Sequence, residues 1–101
     1  MTFQDMQDGI IRVTETYRKR YGVVIDQDFA FLKLYEEVGE FAKAVLIYKK
    51  KSRPEKHTNE EESREMLASE LADIVGLAII NANLLGIDLQ KAIEDKWLSK
   101  A

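Results

Sequence analysis

The sequence has no cysteine and very little proline or glycine, and these absences narrow the kinds of protein it can be. Without cysteine, disulfide bonds, thiolate metal sites and cysteine nucleophiles are excluded. One proline and five glycines among 101 residues leave few helix breakers. The formal net charge of −3 is too balanced for binding through overall charge. We therefore expect neither nucleic acid nor a membrane among the partners.

The sequence also lacks the segments that direct a protein to a membrane. Its N-terminus, MTFQDMQDGIIRV, carries Asp5 and Asp8 and has no basic stretch followed by an apolar one, so no signal peptide is predicted. The longest apolar run is far shorter than the roughly 20 residues that a membrane helix needs. A cytoplasmic location is therefore the expectation.

What is present is typical of a small globular domain. Hydrophobic residues make up 46% of the sequence and charged residues 33%, so the chain is predicted to fold as one domain over residues 1–101. A domain of this size has a modest core, and many such chains bury their remaining apolar surface by oligomerising. We expect a homodimer or a dimer of dimers.

Apolar residues recur every three or four positions through most of the chain, which is the period of amphipathic helices. The first predicted helix follows Thr2 and ends before Gly22, and the fourth follows Asp88. Two longer helices are predicted over residues 28–51 and 60–86, separated by a polar loop. The prediction is an all-α fold of four helices, in which the two long helices are antiparallel neighbours in a bundle that oligomerisation completes.

The third predicted helix is unusual because it is apolar on nearly all sides over residues 71–85. A helix of this kind is normally central and buried. Asn81 and Asn83 interrupt it, so we expect at least one of them to bond either a substrate group or a neighbouring helix.

Two groups of acidic residues lie on the two long helices. EEVGE places Glu36, Glu37 and Glu40 on the second helix, and ELAD places Glu70 and Asp73 on the third. Because residues three and four apart share a helix face, antiparallel packing would let the groups face each other. Acids that meet in a partly dry site repel strongly, and a divalent cation relieves that repulsion. Ligands that are all oxygen fit Mg²⁺ or Mn²⁺ better than zinc.

The alternative is that these acids only solvate the protein surface. Glutamate is common on exposed helix faces, so EEVGE alone leaves both interpretations open. Asp73 is harder to explain in that way, since aspartate is a poor helix former and this one precedes the apolar Ile74 and Val75. The joint pattern is more specific than either half.

The order of these motifs resembles that of the MazG-like all-α nucleoside triphosphate pyrophosphohydrolases. Glu-Glu-x-x-Glu, a polar loop and Glu-x-x-Asp are followed by ANLLGIDLQKAIEDK, residues 82–96, which is similar to the last helix-turn-helix of that family. The resemblance covers residues 32–96. It implies an enzyme that cleaves a nucleoside triphosphate between the α and β phosphates to a monophosphate and pyrophosphate, with clearing of nucleotide pools as one role.

The resemblance also implies residue roles. Glu36 would help to activate the attacking water, directly or through a further metal ion, and Mg²⁺ would be bound by four acids: Glu37, Glu40, Glu70 and Asp73. A bound Mg²⁺ neutralises phosphate charge and lowers the pKa of bound water, so this chemistry agrees with the acid pattern.

The phosphate-binding residues are less well matched. Lys96 falls where the family has a phosphate-binding lysine, although a salt bridge on an exposed helix is the alternative. The family often has an asparagine four residues later, where this sequence has Lys100. Part of the phosphate clamp is therefore expected either to be missing or to come from the basic loop at 49–56.

Two other functions fit the same sequence. Phosphoribosyl-ATP pyrophosphohydrolase shares the architecture and the chemistry but not the substrate. A non-enzymatic interaction or regulatory module would use the acids only to solvate a groove, and it would not respond specifically to Mg²⁺. A di-iron carboxylate bundle is disfavoured, because neither acid pair brings the Glu-x-x-His of such sites.

Overall fold

The structure is a computed structural model that describes residues 1–99. Within those residues it has four α-helices and no β-strand, which confirms the all-α prediction. The helices are α1 (Phe3–Tyr21), α2 (Gln27–Tyr48), α3 (Glu60–Leu85) and α4 (Leu89–Ile93). A 3₁₀ turn, Pro54–Lys56, lies between α2 and α3, and α4 continues directly into a π-helical turn, Glu94–Leu98.

Polar caps and glycines fix the ends of α1 and α3. The hydroxyl of Thr2 accepts a hydrogen bond from the Asp5 backbone N–H, while the Asp5 carboxylate accepts one from the Thr2 N–H. Asn59 caps the first turn of α3 in a similar way. Gly22 and Gly86 adopt left-handed backbone conformations, with φ of 63° and 68°, which end the two helices. These boundaries agree with the predicted ones.

The end of α2 differs from the prediction, because the helix stops at Tyr48 rather than near residue 51. Lys50 adopts a positive φ of 55°, and the Lys51 N–H donates to the Leu46 carbonyl at 2.8 Å. This hydrogen bond closes the helix in the manner usually associated with glycine. The lysines at 49–51 carry no such stop signal, so the sequence alone did not locate this end.

The two long helices pack against each other as an antiparallel pair. Gln27 Nε2 donates to the Leu84 carbonyl at 3.5 Å, and Asn81 Nδ2 donates to the Ala30 carbonyl at 2.9 Å. Partner positions thus fall along α3 as positions rise along α2, which confirms the predicted orientation.

The other helices cover little of this pair. α1 packs against the C-terminal half of α3, where Ile11 and Thr14 line a cavity with Ile80 and Leu84. α4 and the π-helical turn contact mainly each other. The fourth helix follows Asp88 as predicted, and it changes to π-helical geometry after Ile93.

Much apolar surface stays uncovered in the single chain. Among the described residues only five are buried: Ala30, Ala44, Ser63, Ile79 and Ala82. The radius of gyration is 16.0 Å, whereas a compact chain of this length has about 13 Å. Within the single chain, α2 and α1 cover only part of the circumference of α3, and its full burial in an oligomer stays a prediction.

By length and composition alone, α3 could cross a membrane, although the lengths of the apolar runs predicted no such helix. Only 11% of its most apolar stretch is buried within the chain. A core helix that awaits a partner passes the same test, so this property does not place α3 in a membrane.

Candidate metal centre

Three carboxylates from the two central helices converge on one point. Glu37 comes from α2, and Glu70 and Asp73 come from neighbouring turns of α3. One oxygen from each side chain lies within 4.8 Å of the other two. The structure therefore brings together three of the four predicted metal ligands.

This three-carboxylate cluster is partly shielded from water. Glu37 and Glu70 are half-buried, whereas Asp73 is exposed. Glu70 Oε2 is inaccessible to solvent and has no hydrogen-bond partner among the described residues. Leaving a buried acceptor unpaired costs about 1–3 kcal/mol, and more when it is charged. The fold thus leaves an oxygen that a cation would satisfy.

The surroundings of Glu37 raise the pKa of its carboxyl. Its partial burial is the largest cause, the negative charge of Asp73 comes next, and the Glu70 carboxyl adds to the shift. Lys33 acts in the opposite direction. Because the donors are all carboxylate oxygens, and Mg²⁺ and Mn²⁺ prefer such donors, the residues present fit a divalent cation.

Glu40, the fourth predicted ligand, lies one turn beyond Glu37 but outside this cluster. Its Oε1 accepts a hydrogen bond from Lys43 Nζ at 3.5 Å, and 44% of its side chain is exposed. Metal binding by Glu40 stays a prediction, and it requires the carboxylate to turn from Lys43 towards Glu37.

Glu36, the predicted catalytic residue, also lies outside the cluster. Its Oε1 accepts a hydrogen bond from Lys33 Nζ at 2.9 Å, and its side chain is 57% exposed. Adjacent helical residues point about 100° apart, so Glu36 lies at the rim when Glu37 faces inward. The role of Glu36 in activating water stays a prediction.

The two asparagines predicted to bind substrate lie in different surroundings. Asn81 Nδ2 donates to the carbonyls of Ala30 and Leu77, at 2.9 and 2.8 Å. These bonds support the neighbouring-helix alternative and leave only its Oδ1 for a substrate. Asn83 is exposed beside α1 and lines the cavity there. It lies about 15 Å of helix rise from Asp73, so one chain does not bring it to the acids.

The predicted phosphate-binding groups are not at the cluster either. Lys96 is exposed on the π-helical turn, and no hydrogen bond or ion pair within residues 1–99 joins it to the acids. Lys49, where the basic loop begins, is about 18 Å along α2 from Glu37. Phosphate binding by Lys96 stays a prediction, and Lys100 lies outside the described residues.

Lys33, which contacts Glu36, is not among the residues that the motifs predicted. It lies three residues before Glu36 and four before Glu37, so helical spacing alone places it on the same face as both acids. That spacing was the signal that could have identified it.

Comparison with known proteins identifies the family. Residues 28–100 match the MazG nucleotide pyrophosphohydrolase domain, a region that includes all five acids of the two acidic motifs. The chain belongs to the MazG family. It is also 36% identical, over 91 residues, to the Bacillus subtilis (strain 168) protein called "Uncharacterized protein YvdC", with 81% of this chain and 82% of that protein covered. No solved structure gives a significant match. The family predicted from the motifs is confirmed, and α1 lies outside the matched region.

Proposed function

We propose that this MazG-family protein is a Mg²⁺-dependent nucleotide pyrophosphohydrolase. It cleaves a ribo- or deoxyribonucleoside triphosphate between the α and β phosphates, releases the monophosphate and pyrophosphate, and clears nucleotide pools in the cytoplasm. Mn²⁺ is the alternative ion. The observation that carries this proposal is the convergence of Glu37, Glu70 and Asp73 inside the region that matches the family.

In this proposal the acids divide between holding the ion and handling water. Glu37, Glu70 and Asp73 would hold Mg²⁺, with Glu40 as the fourth proposed ligand. A bound Mg²⁺ neutralises phosphate charge and lowers the pKa of bound water. We propose that Glu36, at the rim of the site, orients the attacking water and accepts its proton.

A nucleotide panel with Mg²⁺ tests this function. We expect at least one triphosphate to give its monophosphate and pyrophosphate, and we expect EDTA to stop the reaction. Orthophosphate as the first product would contradict cleavage between the α and β phosphates. Phosphoribosyl-ATP belongs in the same panel, because a strong preference for it would assign the related activity. Hydrolysis of no nucleotide would favour a non-enzymatic module.

We also propose that the protein is a homodimer or a dimer of dimers. Large apolar side chains lie exposed at helical spacing on both central helices: Phe31 at 61% and Tyr35 at 76% on α2, and Leu71 at 48% and Val75 at 49% on α3. Fully burying an apolar side chain of this size contributes roughly 1.5–3 kcal/mol. A second copy with the same surface would cover these residues.

Light scattering at micromolar concentration tests this assembly. We expect a mass of two or four chains, and a mass of 11.6 kDa would contradict the proposal. Val75→Lys, in the proposed interface, should shift the protein towards the single chain. Val13→Lys is the matched control, since Val13 is exposed on α1 rather than on the central pair.

A further inference from the structure

Lys33 lies on α2 one turn before the acids of the metal centre. Its Nζ donates to Glu36 Oε1 at 2.9 Å, and the spacing of four residues puts it on the same helix face as Glu37. The ammonium group is thus at the edge of the three-carboxylate cluster, on the side of Glu36.

Lys33 differs from the other cations of the chain in its effect on the pKa of Glu37. Among the described lysines and arginines, Lys33 alone contributes to the pKa of Glu37, which its positive charge lowers. In return, the hydrogen bond to Glu36 is the largest cause that raises the pKa of Lys33, and Glu37 and Tyr17 raise it further.

The ammonium group of Lys33 has N–H donors that its bond to Glu36 does not use. A lysine carries three N–H donors, and Glu36 is the one hydrogen-bond partner of Lys33 among the described residues. The side chain is 38% exposed, so the other donors are accessible to a ligand. A lysine acts as a compact point charge on a flexible stem, which suits phosphate oxygens in several orientations.

A triphosphate that approaches this site meets several carboxylates, which repel it. A divalent cation offsets part of that repulsion, and a second positive charge beside the ion offsets more. Among the described residues, neither Lys96 nor the loop at 49–56 forms an ion pair with these acids, and neither contributes to the pKa of Glu37.

We propose that Lys33 binds an oxygen of the substrate's triphosphate group while its ammonium stays bonded to Glu36. This inference rests on the proposed function and adds a substrate-binding residue to it. Lys33 then joins the phosphate to the residue that handles the water.

Three variants test this role. Lys33→Met removes the charge and keeps much of the stem, Lys33→Arg restores a charge, and Lys91→Met is the matched control. Lys91 is also an exposed helical lysine in a salt bridge, with Asp95 at 2.8 Å, on α4. The readouts are KM and kcat for the best nucleotide, and calorimetric affinities for inorganic pyrophosphate with Mg²⁺ and for Mg²⁺ alone.

Lys33→Met should raise KM and weaken pyrophosphate binding by about tenfold, which corresponds to about 1.4 kcal/mol. Lys33→Arg should recover most of both, and Lys91→Met should match the wild type. Mg²⁺ affinity should not fall in Lys33→Met, because a repelling cation has been removed.

Other outcomes would overturn the proposal. A fall in kcat alone, with KM and pyrophosphate affinity unchanged, would mean that Lys33 acts only by positioning Glu36. Failure of the wild type to bind pyrophosphate would also overturn it. If the wild type hydrolyses no nucleotide, the proposed function fails, but the pyrophosphate affinities still decide the role of Lys33. Circular dichroism checks folding, and Lys33→Gln replaces Lys33→Met if the latter does not fold.

Discussion

Two regions along the α2–α3 pair, called here the first and second levels, differ in whether their buried polar groups have hydrogen-bond partners. The first level surrounds Asn81, and the second is the three-carboxylate cluster. At the first level, Asn81 satisfies both of its amide hydrogens with backbone carbonyls, next to Ala30 and Ile79, which are 0% and 1% exposed. At the second, Glu70 and its neighbour Glu37 are half-buried, and Glu70 Oε2 has no partner among the described residues. The amide hydrogens of Asn81 at the first level therefore have their partners without a ligand, whereas the buried Glu70 oxygen at the second level does not.

Along one helix pair, the first level therefore contributes to folding stability, whereas the second lowers stability and is the proposed functional site. A satisfied hydrogen bond contributes roughly 0.5–1.5 kcal/mol to folding, and an unpaired buried acceptor costs about 1–3 kcal/mol. The folded chain tolerates the unpaired acids of the second level because Asp73 is exposed to water and the positive charge of Lys33 lies at the rim of the cluster. Functional sites commonly break a local rule in this way.

The largest expected effect is at the second level. Glu70→Gln and Asp73→Ala should abolish nucleotide turnover while circular dichroism shows an intact fold, because each removes a proposed Mg²⁺ ligand. Glu65→Gln is the control, since Glu65 is an exposed acid on the same helix. If the Glu70 and Asp73 variants keep near wild-type turnover with Mg²⁺, the second level is not the metal centre.

The next effect separates the two adjacent glutamates. Glu36→Gln should lower kcat by roughly 10²–10⁴-fold, the scale of a lost general base, with little change in Mg²⁺ affinity. Glu37→Gln should lower both, because Glu37 is in the cluster and Glu36 is at its rim. Mg²⁺ calorimetry and steady-state kinetics measure the two quantities. Equal losses of metal affinity would make Glu36 a ligand rather than the base.

At the first level the expected effect is on stability. Asn81→Ala should lower the free energy of unfolding by about 1–2 kcal/mol, because it removes the bond that joins α3 to the Ala30 carbonyl. Asn83→Ala, two residues along the same helix, should stay within about 0.5 kcal/mol of the wild type. Urea unfolding measures both. A rise in KM with unchanged stability would instead assign Asn81 to the substrate.

The smallest effect concerns pH. The folded protein holds the pKa of Glu37 above its usual value of 4.5, because burial and Asp73 disfavour its charged form. The associated stability is present below about pH 4.5 and is lost as pH rises through the raised pKa. In EDTA, Glu37→Gln should therefore gain Tm relative to the wild type over that window. A Tm difference that does not change with pH would contradict this cause.

The sequence predicted the parts that local rules decide. Thr2, Gly22 and Gly86 carry recognisable helix signals, so the ends of α1 and α3 followed from them. The acids of α3 share a face because of helical spacing, and antiparallel packing then placed Glu37 beside them.

The remaining features depend on contacts that periodicity does not encode. The end of α2 depends on Lys50 adopting a positive φ, which no stop residue signals. Glu40, which the motif predicted as a ligand, bonds Lys43 instead and lies outside the cluster. The apolar pattern of α3 predicted that the helix is buried, but it does not indicate whether the covering surface belongs to the same chain or to a second copy.

Thermal unfolding with increasing Mg²⁺, on the wild type and on Glu70→Gln, tests most directly whether the three-carboxylate cluster holds the ion. An ion that binds only the folded state stabilises it by about 2.7 kcal/mol at one hundred times its Kd. The wild-type Tm should therefore rise steadily with Mg²⁺. Glu70→Gln should start at an equal or higher Tm in EDTA and should respond little. An equal rise in both proteins, or no rise in the wild type, would contradict the assignment of the metal centre.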